Sequence, residues 1–289
     1  MQNEKTMEVG EFKERQKSVM LDGIVDEPVR INYTDVGSGP TLLLLHGIPT
    51  WSYLYQEMIE ELQKDYRVIA PDMLGYGWSD RRDRFDRSLQ VQAKVITGLM
   101  DILQLEKVHF VGHDIGGGVG LVLAVDYPDR LESLILSNNV AYDSWPIKEM
   151  MQLGHPSWTD KPVQEVSDFL KKAFQDGILN KEQKTDAFLE GIVEPYQNEE
   201  GKKSMVRNAA ALNTNEITRL THKLSGIPHP TLILWGVQDP WQKLKFGEKL
   251  QEDIPDSKLL KIEHSGHWLP QDAPKEFAEE IKGFLQKNE

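Results

Sequence analysis

Six short apolar runs, separated by helical patterning and turn residues, constrain this chain more than any other feature. They cover residues 41–45, 67–70, 108–111, 134–136, 231–235 and 258–262. Most are continuous stretches of Leu, Val and Ile rather than strict alternations, as expected of strands buried on both faces. Between them the spacing predicts helices near 53–64, 89–103, 116–127 and 274–286. Such an alternation of strand and helix builds a mostly parallel sheet flanked by helices, an α/β fold.

The rhythm stops after Asn139. Residues 140–224 read as amphipathic helices punctuated by Pro146, Pro156, Pro162, Gly177 and Pro195, and strand character resumes at Thr231. We expect a core formed by residues 1–139 and 225–289, with a helical lid or cap, 140–224, inserted over the carboxyl edge of the sheet. Ligands of open α/β sheets bind at that edge.

Composition narrows the function classes. A net charge of −13 disfavours nucleic acid or an anionic membrane as partner, because phosphate binding needs a surplus of Lys and Arg. No apolar stretch approaches the roughly 20 residues of a membrane-spanning helix. Residues 1–12 are polar and acidic and lack the basic and apolar regions of a secretory signal. Zero cysteines exclude thiolate catalysis and Cys-ligated metals, and the eight His are scattered. The expectation is a cytoplasmic protein with no cofactor and no metal, acting on a small hydrophobic organic substrate with water. Its oligomeric state is left open.

The chemistry concentrates around Gly112-His113-Asp114-Ile115-Gly116-Gly117-Gly118, which joins the run at 108–111 to a helical pattern. Strand, sharp Gly-bounded turn and helix make the nucleophile elbow G-x-S-x-G, with Asp in place of Ser. Small residues at 112 and 116 relieve crowding in the turn. The helix N-terminus suits a carboxylate, although a mere helix cap would also place an Asp there. Two later loops argue for the catalytic reading. Asp239, in Trp235-Gly236-Val237-Gln238-Asp239-Pro240, follows the run at 231–235, and His267, in Glu263-His264-Ser265-Gly266-His267, follows that at 258–262. Nucleophile, acid, histidine is the chain order of α/β-hydrolases. The other position used for the acid, after 134–136, holds Ser137, Asn138 and Asn139, so Asp239 is favoured. His46-Gly47-Ile48-Pro49 occupies the place of an oxyanion-hole loop, with the N–H of Ile48 beside that of Ile115.

A carboxylate nucleophile changes the reaction. An ionised Asp needs no deprotonation and suits displacement at an sp³ carbon, giving an alkyl ester that water, activated by His267 and oriented by Asp239, then hydrolyses. Alkyl halides and epoxides fit this logic. A carboxylesterase or lactonase, or a ligand-binding scaffold without turnover, fits less well.

These residues resemble the haloalkane dehalogenase and epoxide hydrolase branch of the α/β-hydrolase superfamily over nearly the whole chain. The segment His46-Gly47-Ile48-Pro49-Thr50-Trp51-Ser52-Tyr53-Leu54-Tyr55 is similar to dehalogenases in particular, and Ala70-Pro71-Asp72-Met73-Leu74-Gly75-Tyr76-Gly77-Trp78-Ser79-Asp80 to a loop of the wider branch. The resemblance implies a Trp after the nucleophile to grip the departing halide, where this chain has Ile115. It implies a second donor at the position of Ile48, or a lid Trp, for which Trp145 and Trp158 are candidates. Trp51 also enters as a substrate-side candidate. Epoxide hydrolases use lid tyrosines instead, and Ala211-Leu212-Asn213 resembles a segment preceding one of them, but Asn215 stands in the Tyr place. Tyr196, Tyr142, His155 and His222 remain as candidates for that role. Dehalogenation is the leading expectation and epoxide hydrolysis the alternative.

Overall fold

The structure, a computed structural model, describes residues 7–288, so part of the N-terminal segment read above for a secretory signal lies outside the described residues. A short helix α1 (Val9–Glu14) precedes strands β1 (Gln16–Leu21), β2 (Val29–Gly37) and β3 (Thr41–Leu45). Helix α2 (Gln56–Leu62), β4 (Arg67–Pro71), α3 (Leu89–Ile102), β5 (Val108–His113), α4 (Ile115–Asp126) and β6 (Leu131–Ser137) continue the alternation. A helical stretch then holds α5 (Lys148–Leu153), α6 (Val163–Gly177), α7 (Asp186–Val193), α8 (Glu199–Ala210) and α9 (Asn215–Thr218). Strand β7 (Thr231–Gly236), α10 (Leu244–Asp253), β8 (Ser257–Ile262), α11 (Leu269–Asp272) and α12 (Pro274–Asn288) close the fold.

The eight described strands form one sheet in the order β1-β2-β4-β3-β5-β6-β7-β8. From β4 to β8 every pairing is parallel, whereas β1, β2 and β4 pair antiparallel. The parallel part matches the six predicted runs. β1 and β2 were not foreseen, because β2 alternates buried Val29 and Ile31 with exposed Arg30, and β1 is largely exposed. An antiparallel edge needs only one buried face, so it carries no continuous apolar run.

Topology fixes the location of the site. From β3 the chain moves to β4 on one side and returns to β5 on the other. Loops leaving β3 and β5 therefore diverge and open a crevice at their carboxyl ends, where ligands bind in open α/β sheets. Leu42 to Leu45 and the inner residues of β5 are fully buried beneath it. No helix among the described residues is long and apolar enough to cross a membrane.

Candidate active site

Asp114 sits between β5 and α4 with φ of +53° and ψ of −122°, a backbone region costly for a residue with a Cβ. Crowding around the turn explains the flanking glycines. A Cβ on Gly116 would lie 2.2 Å from the Leu45 carbonyl oxygen, and one on Gly47 2.4 Å from the Asp114 Cβ. The second contact was not anticipated: Gly47 lets the β3 loop approach the Asp114 side chain.

That approach has a chemical consequence. The N–H of Ile48 donates to Asp114 Oδ1 at 2.9 Å, and the neighbouring N–H of Ile115 also favours the charged form of the carboxylate. Its other oxygen, Oδ2, lies 3.8 Å from His267 Nε2, beyond hydrogen-bond length. Burial pushes the Asp114 carboxyl up to about 6; nearby His267 and the two N–H groups oppose this.

His267 donates from Nδ1 to Asp239 Oδ2 at 2.7 Å, the pairing that orients an imidazole and favours its charged form. Burial works against that charge, but Asp239, Asp114 and Asp272 outweigh it and hold the His267 pKa above its usual value. Asp239 is itself fixed. Its Oδ1 accepts from the N–H groups of Trp241 and Gln242 at 2.7 and 2.9 Å, and its Oδ2 also accepts from Asn138 Nδ2 at 2.7 Å. The imidazole is walled by Trp268 and Trp241, with ring centroids 4.5 and 5.2 Å away, both edge-on.

A cavity opens on these groups and is lined by Asp114, Ile48, Ile115 and His267, together with Trp145 and Trp241. The structure thus brings Asp114, Asp239 and His267 together, with the N–H of Ile48 on the carboxylate. Of the other candidates, Trp145 alone lines the cavity; its indole Nε1 is buried without a partner. Trp51 points elsewhere, because its indole N–H donates to the Gly191 carbonyl at 3.2 Å and its ring stacks on Tyr53. Trp158 packs edge-on against Phe169 beneath the Lys161 ammonium, away from the cavity lining. The Tyr196 hydroxyl donates to the Thr50 carbonyl at 2.9 Å and accepts from the Gly77 N–H at 3.3 Å, and Tyr142 donates to Asp253 at 2.7 Å. These hydroxyls serve structure.

Sequence reasoning missed Asn138, Asp272, Trp241, Trp268 and Gln242. Asp272 joins the segment after α6 to the loop carrying His267: Oδ1 accepts from the N–H groups of Leu179 and Asn180 at 2.7 and 2.9 Å, and Oδ2 from that of Gly266 at 2.7 Å. The His267 N–H donates to the Gly177 carbonyl at 3.1 Å, so the same two segments are bonded twice. Adjacency to Asp239 and His267 was the available signal for the two Trp residues. For Asn138 it was the position after β6 where an acid would otherwise stand.

Fold, switch-point crevice and the Asp–His–Asp arrangement define an α/β hydrolase. The chain belongs to the alpha/beta hydrolase fold family, whose model matches residues 40–274. It is 26% identical over 260 residues to haloalkane dehalogenase 2 of Mycobacterium tuberculosis, covering 87% of this chain and 90% of that protein. It is 27% identical over 276 residues to cis-3-alkyl-4-alkyloxetan-2-one decarboxylase of Shewanella oneidensis, covering 90% and 86%. A thermophilic esterase from Thermogutta terrifontis superposes with a TM-score of 0.79 at 25% identity, covering 94% of this chain and 99% of that one. These relatives break different bonds, so likeness supports a hydrolase without choosing its reaction.

Proposed function

We propose that this hydrolase works through an alkyl ester on Asp114, with residues 140–224 as its cap, and that its leading activity is dehalogenation of a small hydrophobic alkyl halide. One observation carries the reading: Ile48 N–H holds Asp114 Oδ1 while Oδ2 faces His267. The nucleophile's own carboxylate occupies the Ile48 N–H, a donor that an ester-cleaving serine enzyme would keep open for the substrate carbonyl. An ordinary ester would find that site filled. An sp³ electrophile does not need it.

The chemistry balances as follows. Asp114 Oδ2 forms a bond to the substrate carbon as the carbon–halogen bond breaks, and the halide leaves toward the Trp145 indole N–H. The ester's carbonyl oxygen is then Oδ1, already in contact with the Ile48 N–H. His267 takes a proton from water, whose oxygen attacks Cγ, and the negative charge gathers on Oδ1. Collapse breaks the Cγ–Oδ2 bond, His267 returns the proton to the leaving alkoxide, and alcohol departs. The Asp114 carboxylic acid that remains carries the water's oxygen and its second proton, which it releases to solvent to restore the carboxylate. Asp239 favours the imidazolium formed in between.

Trp145 favours halide over epoxide. Opening an epoxide needs a proton donor for the ring oxygen, and Tyr196 and Tyr142 donate elsewhere, whereas the Trp145 N–H is unpartnered in the cavity wall. An indole N–H stabilises an anion without having to transfer its proton.

The test is His267→Gln exposed to panels of bromoalkanes and epoxides and weighed intact. A stable adduct of the alkyl fragment's mass, with free bromide, is expected from the first panel. Substrate consumed with the protein mass unchanged would reject the covalent route, and adducts from epoxides alone would reject the dehalogenase reading.

A further inference from the structure

Gln242, a second residue of the cavity lining, also carries a buried polar atom without a partner. Gln242 Oε1 makes no hydrogen bond, and the residue is 2% exposed. Its main chain is tied down on both sides: the N–H donates to Asp239 Oδ1 at 2.9 Å, and the carbonyl accepts from Trp235 Nε1 at 3.0 Å. The residue's backbone is therefore anchored to the loop carrying Asp239, which fixes where its side chain starts. Most of its neighbours in the lining are apolar, among them Ile48, Ile115, Val140, Met150 and Leu212. An amide oxygen buried in such surroundings loses its hydration and recovers nothing unless a donor arrives. A pocket meant for bare hydrocarbon chains gains nothing from it.

We infer that Gln242 is a specificity-determining residue and that the substrate is an alkyl electrophile bearing a hydroxyl group, whose O–H donates to Gln242 Oε1. The inference rests on the Asp114 reading and narrows its substrate class. Donor and acceptor in the wall then have separate duties: the Trp145 N–H faces the developing anion, and the Gln242 oxygen, which would repel an anion, takes the hydroxyl. The reaction is unchanged, so a bromoalcohol and water give a diol, bromide and a proton. A site built to bond a hydroxyl discriminates against the analogue that lacks it, because a buried polar atom is then left unpaired.

The test measures how fast the Asp114 ester accumulates in the His267→Gln chain, by intact mass. Probes are 2-bromoethanol through 5-bromo-1-pentanol, each against the bromoalkane with the same number of non-hydrogen atoms and, for 4-bromo-1-butanol, against 1-bromo-3-methoxypropane, which has the oxygen but no donor. The best bromoalcohol should react roughly three- to tenfold faster than its hydrocarbon and ether counterparts, the range one neutral hydrogen bond supplies. Adding Gln242→Met, which keeps the backbone N–H on Asp239, should bring that ratio close to one. Equal rates for alcohol, alkane and ether, a ratio untouched by Gln242→Met, or an equal loss for all probes would overturn the inference and leave the Asp114 reading standing. No ester from any probe would remove both.

Discussion

Asn138 Nδ2 donates to Asp239 Oδ2 at 2.7 Å, and the same oxygen accepts from His267 Nδ1 at 2.7 Å. Asn138 also accepts from the Gly236 N–H at 2.9 Å, so its amide plane is fixed by β7. The end of β6, the alternative location weighed for the acid, instead leads into a residue that braces Asp239, which follows β7. In Asn138→Ala, Asp239 loses one of its four described donors and the His267 ring one of its restraints. Ester hydrolysis should slow about tenfold, as for a hydrogen bond to a charged group, with a smaller effect on ester formation. Rapid-quench separation of the two steps checks this, and equal slowing of both would place Asn138 elsewhere in the mechanism.

Asp114 gives a pH signature of the opposite sense to most carboxylates. Burial raises it from 3.8 to about 6, so the folded chain binds more protons than the unfolded one between those values. The stability this group contributes is full at low pH and falls as pH rises through that window. Asp114→Asn removes the titration, so the variant should gain on the parent, by about 1–3 kcal/mol, between roughly pH 4 and pH 6.5, and hold that advantage above. Urea midpoints across this range measure it, and a difference independent of pH would contradict it. Ester formation in the parent should rise with pH over the same interval, because only the ionised carboxylate attacks.

Trp145→Phe keeps an aromatic ring in the cavity wall and deletes the N–H. Removing one donor to a developing anion costs on the order of 10²-fold in rate. The loss should fall on ester formation and be larger for chloride than for iodide, since the poorer leaving group depends more on stabilisation. A uniform loss across halides would point to packing instead.

Asp272→Asn tests the tie between the segment after α6 and the loop carrying His267. The carboxylate accepts three backbone N–H bonds, and replacing one oxygen with an NH₂ group sets donor against donor, costing about 1–3 kcal/mol. The variant also removes one of the negative charges that keep the His267 pKa raised. Ester hydrolysis needs the neutral imidazole as base, so its rising limb should move to lower pH. A drop in melting temperature with an unmoved pH profile would leave Asp272 a purely structural role.

The meeting of Asp114, Asp239 and His267 and the parallel half of the sheet were legible in the sequence for a shared reason. Strands buried on both faces write continuous apolar runs, and the sharp turns at their carboxyl ends demand glycines, so Gly112-His113-Asp114-Ile115-Gly116 stands out. The antiparallel edge was not legible, because Val29 and Ile31 alternate with polar residues and β1 buries little. Cavity lining was harder still. Trp51, Trp145, Trp158 and Tyr196 look alike as large aromatics, and only tertiary packing shows that three are engaged or packed elsewhere while Trp145 faces the cavity. Gln242 and Asp272 carried no motif. Their significance lies in which backbone groups they meet, and that depends on loops far apart in sequence.

Oxygen transfer gives the most direct measurement. One turnover of a bromoalkane substrate by the wild-type chain in ¹⁸O-water should leave the label in the peptide containing Asp114, while the first alcohol released carries unlabelled oxygen from the protein. Labelled alcohol from the first turnover, with Asp114 unlabelled, would show that water attacks the substrate directly and would contradict the covalent mechanism.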